Sequence, residues 1–161
     1  MQAIFAGSFV LMRLAAYQPD LAPNLGAMVR LCACTGVGLD IIEPCGFPFS
    51  LKALRNQALD YASHVDICRH DDWSSFVPQG RVVLLSTSGA VPIWDFRFLG
   101  SDTLLVGRES AGVPLQVRAE ADAVVTIPMP GPGRSLNVAM AAAITLYEAL
   151  RQANNGEMRG N

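Results

Sequence analysis

The stretch that decides the fold is residues 127–137, IPMPGPGRSLN, which lead directly into a long apolar segment at residues 138–151. Prolines and glycines allow sharp turns and let a ligand approach the main chain closely. The start of the following helix offers unpaired N–H groups and the positive end of a dipole. Because Arg134, Ser135 and Asn137 stand at this junction, it is either a binding loop or an ordinary helix start capped by Ser135.

Two earlier segments favour the binding loop. Residues 24–30 read NLGAMVR, and residues 104–114 read LLVGRESAGVP. With the C-terminal stretch they give the patterns Asn-x-Gly-x-x-x-Arg, Gly-x-Glu-x-x-Gly and Ser-x-Asn-x-x-x-Ala, in that order. Over about residues 13–152, the chain therefore resembles the SpoU branch of the SPOUT RNA methyltransferases. Shorter pieces (residues 30–33, 41–47 and 59–61) resemble the small single-domain members, which methylate a ribose at the tRNA wobble position.

Strands that alternate with helices predict an α/β domain with a mostly parallel sheet flanked by helices. The predicted strands are residues 12–17, 39–42, 65–68, 81–86, 103–106 and 123–127. The predicted helices are residues 24–35, 51–60, 71–77, 115–119 and 135–153, the first capped by Asn24 and closed by Gly36. The family resemblance adds a feature that periodicity does not indicate, a C-terminal trefoil knot.

One domain is expected over residues 12–153, with an N-terminal extension of unassigned role at residues 1–11 and a flexible tail at residues 154–161. The apolar run at residues 3–12 is too short to span a membrane. It also lacks a basic segment before it, so neither a membrane anchor nor a signal peptide is predicted.

Composition limits the choice of partners. Only 16% of residues are charged and 51% are hydrophobic, which favours an apolar surface that a second subunit covers. A net charge of −2 disfavours broad, non-specific nucleic-acid binding and leaves room for a local basic patch. Nearly all of the basic residues are arginines, the type suited to phosphate contacts.

The cysteines Cys32, Cys34, Cys45 and Cys68 form no Cys-x-x-Cys pair. We expect them to be reduced, mostly buried thiols in a cytoplasmic protein. No metal site is predicted.

The resemblance implies transfer of a methyl group from S-adenosylmethionine to a ribose 2′-hydroxyl of tRNA. It assigns Arg30 to the reacting hydroxyl or the phosphate, although a free guanidinium stays protonated. It also assigns Asn24, Glu109, Ser135 and Asn137 to the catalytic centre. For each of these residues an ordinary structural role, as a helix cap or a solvated loop residue, remains the alternative.

Further residues are implied for binding and assembly. Leu85, Gly107, Ile127 and Ser135 match positions that hold the cofactor. Arg30, Arg108 and Arg134 are candidates for RNA contact. Tyr147 on the last helix is implied at the interface of a homodimer whose active sites draw on both chains, with filling of the core as its alternative.

Three other functions make different predictions for the sequence. The same chemistry on another tRNA position or on ribosomal RNA remains open. A nicotinamide-dependent oxidoreductase would carry Gly-x-Gly-x-x-Gly after the first strand, but Gln18-Pro19-Asp20 follows instead. A non-catalytic RNA-binding protein is disfavoured because it would be expected to lack one of the four motif residues, and all four are present: Arg30, Glu109, Ser135 and Asn137.

Overall fold

The computed structural model describes residues 11–57 and 59–158, so residues 1–10 of the predicted extension lie outside the described part. The strands are β1 Arg13–Tyr17, β2 Gly38–Ile42, β3 Ile67–His70, β4 Val82–Leu85, β5 Val91–Pro92, β6 Thr103–Val106 and β7 Ala123–Thr126. They form one sheet in the order β3-β2-β1-β6-β4-β7-β5, and every neighbouring pair is parallel. The predicted α/β fold is therefore confirmed, whereas the knot stays a prediction.

Helices cover both faces of this sheet. They are α1 Ala22–Thr35, α2 Leu51–Gln57, α3 Leu115–Glu120 and α4 Val138–Met158, with a 3₁₀ helix at Leu59–His64. On one face α1 and α4 pack together, and Met28 and Leu146 are fully buried there beside Leu14 of β1. On the other face, Val117 of α3 and Phe76 bury Leu84. Burial on both faces explains why the inner strands β4 and β6 are almost uniformly apolar.

The start of α1 differs from the prediction. Leu21, whose side chain has no polar atom, is the N-cap, and Asn24 lies inside the first turn instead of capping it. Asn24 is buried, and its side chain is engaged in the site described below. The predicted end is correct, because Gly36 adopts φ 71° and donates its N–H to Cys32 O at 2.9 Å.

Two further helix predictions were wrong in detail. The last helix begins at Val138, not at Ser135, because the Asn137 side chain caps it (Oδ1 to Ala139 N, 2.9 Å). It also continues past residue 153 to Met158. Residues 71–77 form turns, because the Asp72 carboxylate accepts hydrogen bonds from nearby N–H and O–H groups and offers the backbone an alternative to helix.

Candidate functional site

A cavity of about 610 Å³ opens at the carboxyl ends of β4, β6 and β7. Ligands of open parallel sheets bind outside this edge, and sites for small molecules span roughly 300–1,000 Å³. The cavity is lined by residues 84–87, 106–113, 126–127, 129 and 134–138, together with Leu21, Asn24 and Ala141. Its position and size therefore suit a small organic ligand.

Hydrogen bonds join the three sequence motifs at one wall of this cavity. Asn24 Nδ2 donates to Glu109 Oε1 at 2.8 Å, and Asn24 Oδ1 accepts from Asn137 Nδ2 at 2.9 Å. The side-chain oxygen of Asn137, Oδ1, accepts hydrogen bonds from the N–H groups of Ala139 and Met140 and so caps α4. The amide of Asn24 is thus used at both ends, which holds the start of α1, the loop after β6 and the start of α4 in one arrangement.

Asp20 is a site residue that the sequence reasoning missed. Its backbone N–H donates to Glu109 Oε2 at 2.7 Å. Its carboxylate accepts from Arg108 Nη2 at 3.0 Å and from Ser110 Oγ and N at 2.6 and 3.0 Å. The signal that could have found it is a carboxylate just after the inner strand β1, at the edge of the sheet where ligands bind.

These contacts also set the charge state of Asp20. Hydrogen bonds from Ser110, first from its hydroxyl and then from its N–H, lower the pKa of the Asp20 carboxyl, and the Arg108 guanidinium lowers it further. Asp20 therefore stays ionised. Its carboxylate holds Arg108 and Ser110, and its N–H holds Glu109, which fixes the loop at residues 108–110.

The loop after β6 turns back on itself. Arg108 and Gly112 exchange two backbone hydrogen bonds of 2.9 Å. A Cβ atom on Gly107 would lie only 2.6 Å from Gly112 C, so no larger residue fits there without a shift. This closed turn presents Glu109 to Asn24.

The structure brings most of the predicted site residues to the cavity. The predicted residues that line it are Asn24, Leu85, Gly107, Arg108, Glu109, Ile127, Arg134, Ser135 and Asn137. The roles assigned to them stay predictions. The cavity wall also contains apolar side chains that the sequence did not single out, among them Leu21, Met129 and Leu136.

Arg30 does not line the cavity of its own chain. Its side chain is exposed on α1, and its guanidinium carbon lies 4.9 Å from the ring centroid of Tyr61. A cation over an aromatic ring at this distance is attracted to it. Arg30 is therefore held beside the 3₁₀ helix, separate from the other predicted catalytic residues.

Tyr147 is 54% exposed, so it does not fill the core of this chain. Met140 and Ile144 are 58% and 43% exposed on the same helix. Residues spaced by four and then three lie on one face of a helix. α4 thus presents an uncovered apolar stripe, defined by Met140, Ile144 and Tyr147.

The cysteines are free, but only Cys32 is buried, so the expectation of mostly buried thiols was wrong. Burial raises the pKa of Cys32 to about 12 and that of Cys45 to about 11. Within residues 11–57 and 59–158, no cluster of three or more His, Cys, Asp or Glu side chains suits a metal ion. In the same part of the chain, no helix is long and apolar enough to cross a membrane.

The parallel sheet, with a ligand-sized cavity at its carboxyl edge, has the arrangement of α/β proteins whose ligand sites lie at that edge. The model of the SpoU rRNA methylase family matches residues 11–147, and the chain belongs to this family. The resemblance inferred from the three motifs is therefore confirmed.

Individual relatives and solved structures give a more specific comparison than the family model. A tRNA (cytidine(34)-2′-O)-methyltransferase of Beijerinckia indica is 54% identical over 144 residues, which cover 86% of this chain and 90% of that protein. A solved structure concerned with 2′-OH methylation of C/U34 on tRNA superposes with a TM-score of 0.81 at 41% identity, covering 88% of this chain and 95% of that one. An S-adenosylmethionine-bound rRNA methyltransferase of Sinorhizobium meliloti superposes with a TM-score of 0.77 at 28% identity, covering 87% of this chain and 56% of that one.

Proposed function

We propose that this protein transfers a methyl group from S-adenosylmethionine to the ribose 2′-hydroxyl of nucleotide 34 in tRNA, a cytidine or a modified uridine. The observation that carries the proposal is the hydrogen-bonded connection of Asn24, Glu109 and Asn137 at the wall of a ligand-sized cavity. The relative named for cytidine 34 is 54% identical, whereas the rRNA methyltransferase is 28% identical. This difference favours tRNA position 34 over ribosomal RNA.

The cavity fits the proposed methyl donor. Leu85 and Ile127 give it apolar walls suited to adenine, and Gly107, which has no side chain, lines the cavity with its main chain. Ser135 adds a hydroxyl for a polar contact. When bound, S-adenosylmethionine supplies a methyl group activated by its sulfonium. Leu85, Gly107, Ile127 and Ser135 are the residues proposed to hold it.

The catalytic residues act mainly by position. Both carboxylate oxygens of Glu109 accept hydrogen bonds, one from Asn24 and one from the Asp20 N–H. Glu109 is therefore fixed in orientation, as an active-site wall needs. We assign the orientation of the ribose to this wall together with Ser135 and Asn137.

We assign RNA contact to two arginines that line the cavity. Arg134 is exposed beside Ser135, and Arg108 is half-buried against Asp20. Because the Asp20 carboxylate offsets the charge of Arg108, Arg134 is the stronger candidate for a phosphate contact. A guanidinium binds phosphate through paired N–H groups.

We also propose that the protein is a homodimer in which one subunit's Arg30 serves the cavity of the other. Two features support this arrangement. Arg30 does not line the cavity of its own chain, and the stripe formed by Met140, Ile144 and Tyr147 on α4 is uncovered. Arg30 would then bind the phosphate and stabilise negative charge on the ribose oxygen. Residues 12–153 would act as one domain, in the cytoplasm with the tRNA.

The test is methyl transfer from labelled S-adenosylmethionine to tRNA from cells that lack this gene, followed by nucleoside mass spectrometry. The matched control is the same tRNA with a 2′-deoxyribose at position 34 only. We expect a 2′-O-methyl group at position 34 and no transfer to the deoxy control. Transfer to the control, or a 2′-O-methyl group at another nucleotide of the tRNA, would move the target to another position, and no transfer to either tRNA would contradict tRNA as the substrate.

A further inference from the structure

Arg118 of α3 reaches across to the turn that follows β4. Its Nη1 donates to Ser86 Oγ and Ser88 Oγ, both at 3.2 Å, and its Nη2 donates to Ser88 O at 3.0 Å. The two hydroxyls also lie 3.1 Å apart. A planar guanidinium with several N–H groups in fixed directions can hold such a set of acceptors together. One side chain therefore joins the first and third residues of the turn at Ser86–Gly89, which the Gly89 N–H closes by donating to Ser86 O at 3.1 Å.

The same turn is held from the opposite side by β7. The Ser86 N–H donates to Val125 O at 2.9 Å. A Cβ atom on Gly89 would lie 2.5 Å from the carbonyl carbon and oxygen of Val125, so the turn lies tightly against that strand. Ser86 and Thr87 line the cavity, whereas Arg118 does not. Arg118 thus contacts a residue of the cavity wall, Ser86, without lining the cavity itself.

The anchoring of α3 does not depend on this arginine. Its neighbour Val117 is 3% exposed and packs in the core on that face of the sheet. Loss of the Arg118 side chain would therefore release the turn while the helix stays in place. A released turn must be ordered again when a ligand binds, and this ordering lowers affinity.

We propose that Arg118 is a positioning residue for the cofactor: it keeps the turn at Ser86–Gly89 in the shape that lines the cavity proposed to receive S-adenosylmethionine. This inference rests on the proposed function, which supplies the identity of the ligand. Arg118 makes no contact with that ligand in the proposal. It sets the affinity through Ser86 and Ser88.

The experiment is calorimetric titration of S-adenosylmethionine into the wild-type protein, Arg118→Ala, Arg118→Lys and Gln116→Ala. Gln116 is the matched control, because it lies exposed on the same helix and its side-chain amide donates to Glu120 Oε1 at 3.0 Å. We expect Kd to rise about tenfold in Arg118→Ala, through the lost ordering of the turn. A smaller rise is expected in Arg118→Lys, since an ammonium lacks the planar fork, and none in Gln116→Ala.

Kinetics separate positioning from general damage. Arg118→Ala should raise the KM for S-adenosylmethionine and leave kcat at saturating cofactor and the KM for tRNA unchanged, with an unaltered thermal midpoint. The double variant Ser86→Ala/Ser88→Ala removes the acceptors instead and should weaken binding without adding to the effect of Arg118→Ala. It also provides the test if Arg118→Ala fails to fold.

The outcomes are distinct. Arg118→Ala, or the double serine variant, binding the cofactor as tightly as wild type would overturn the inference and leave the proposed function standing. Absence of binding to the wild-type protein would overturn the proposed function and the inference with it.

Discussion

Asn24 and Asn137 lie 113 residues apart in the sequence, yet the side-chain oxygen of the first accepts a 2.9 Å hydrogen bond from the side-chain nitrogen of the second. Asn137 uses its other amide atom to cap α4. This one residue therefore couples the start of the last helix to the buried polar centre of the cavity wall.

The two tasks of Asn137 can be separated by substitution. Asn137→Ser keeps a good N-cap but loses the N–H group that reaches Asn24, whereas Asn137→Ala loses both. We expect Asn137→Ser to reduce methyl transfer while changing stability little. Asn137→Ala should in addition lower the free energy of unfolding by about 1 kcal/mol through the lost cap. Urea denaturation beside activity assays makes the comparison, and equal activity of Asn137→Ser and wild type would show that the link to Asn24 is dispensable.

Asp20 should make stability depend on pH in the acid range. Because its pKa is lowered in the folded state, its ionised form stabilises the fold above the ordinary aspartate pKa of about 3.9. This contribution is lost as pH falls through the lowered value. Asp20→Asn should therefore be less stable than wild type near neutral pH, and the difference should shrink below about pH 4.

The measurement is the free energy of unfolding by urea across this range. Asp95→Asn is the control, since Asp95 is exposed and should change stability little at any of these pH values. A difference between Asp20→Asn and wild type that persists unchanged in acid would assign the effect of Asp20 to something other than its charge.

The placement of Arg30 predicts complementation between inactive subunits. Arg30→Ala and Glu109→Gln should each lower activity about a hundredfold or more. When the two are co-expressed with different tags, half of the dimers are mixed and each mixed dimer has one complete site. Activity should then return to about a quarter of the wild-type value, by the symmetry of a two-fold dimer.

Asn24→Ala mixed with Glu109→Gln is the matched control. Both substitutions damage the cavity wall of their own chain, so every mixed dimer lacks a complete site and no activity should return. If the Arg30→Ala mixture also stays inactive, Arg30 serves the cavity of its own subunit. An Arg30→Ala protein that is fully active by itself would show that Arg30 has no role in transfer.

The stripe on α4 predicts the effect of a charge at Tyr147. Tyr147→Glu would place a carboxylate in an apolar interface and should raise the dimer dissociation constant at least tenfold, since burying an unpaired charge is costly. Sedimentation velocity at low micromolar concentration measures it. Trp94→Glu is the control, because Trp94 is also exposed (57%) but lies outside α4. A Tyr147→Glu protein that remains dimeric would place the interface elsewhere.

The sheet and the three motifs could be predicted because their signals are local. Apolar runs such as residues 103–106 give β6 directly, and Gly36 marks the end of α1. β5, Val91–Pro92, has only two residues and a proline, which is tolerated at a sheet edge but gives no periodic signal. The start of α4 was misplaced since Ser135 and Asn137 are both good caps, and only the fold decides between them.

The position of Arg30 shows a further limit of motif reading. Arg30 and Asn24 belong to one motif, but six residues at about 100° each separate their directions by about 240° around the helix. They therefore face different surroundings on α1, although the motif names them together. Asp20 was missed for the opposite reason: its partners Arg108 and Ser110 are about ninety residues away in sequence, and no local pattern connects them.

The capping of α4 by Asn137 has a consequence for biosynthesis. A nascent chain that has not yet reached Asn137 can bring Asn24 and Glu109 together, but half of the Asn24 amide then has no partner and the cavity lacks the wall at residues 134–138. All seven strands of the described part of the chain are synthesised before residues 134–138, because the last of them ends at Thr126. Completion of the cavity wall therefore waits until synthesis has passed residue 138.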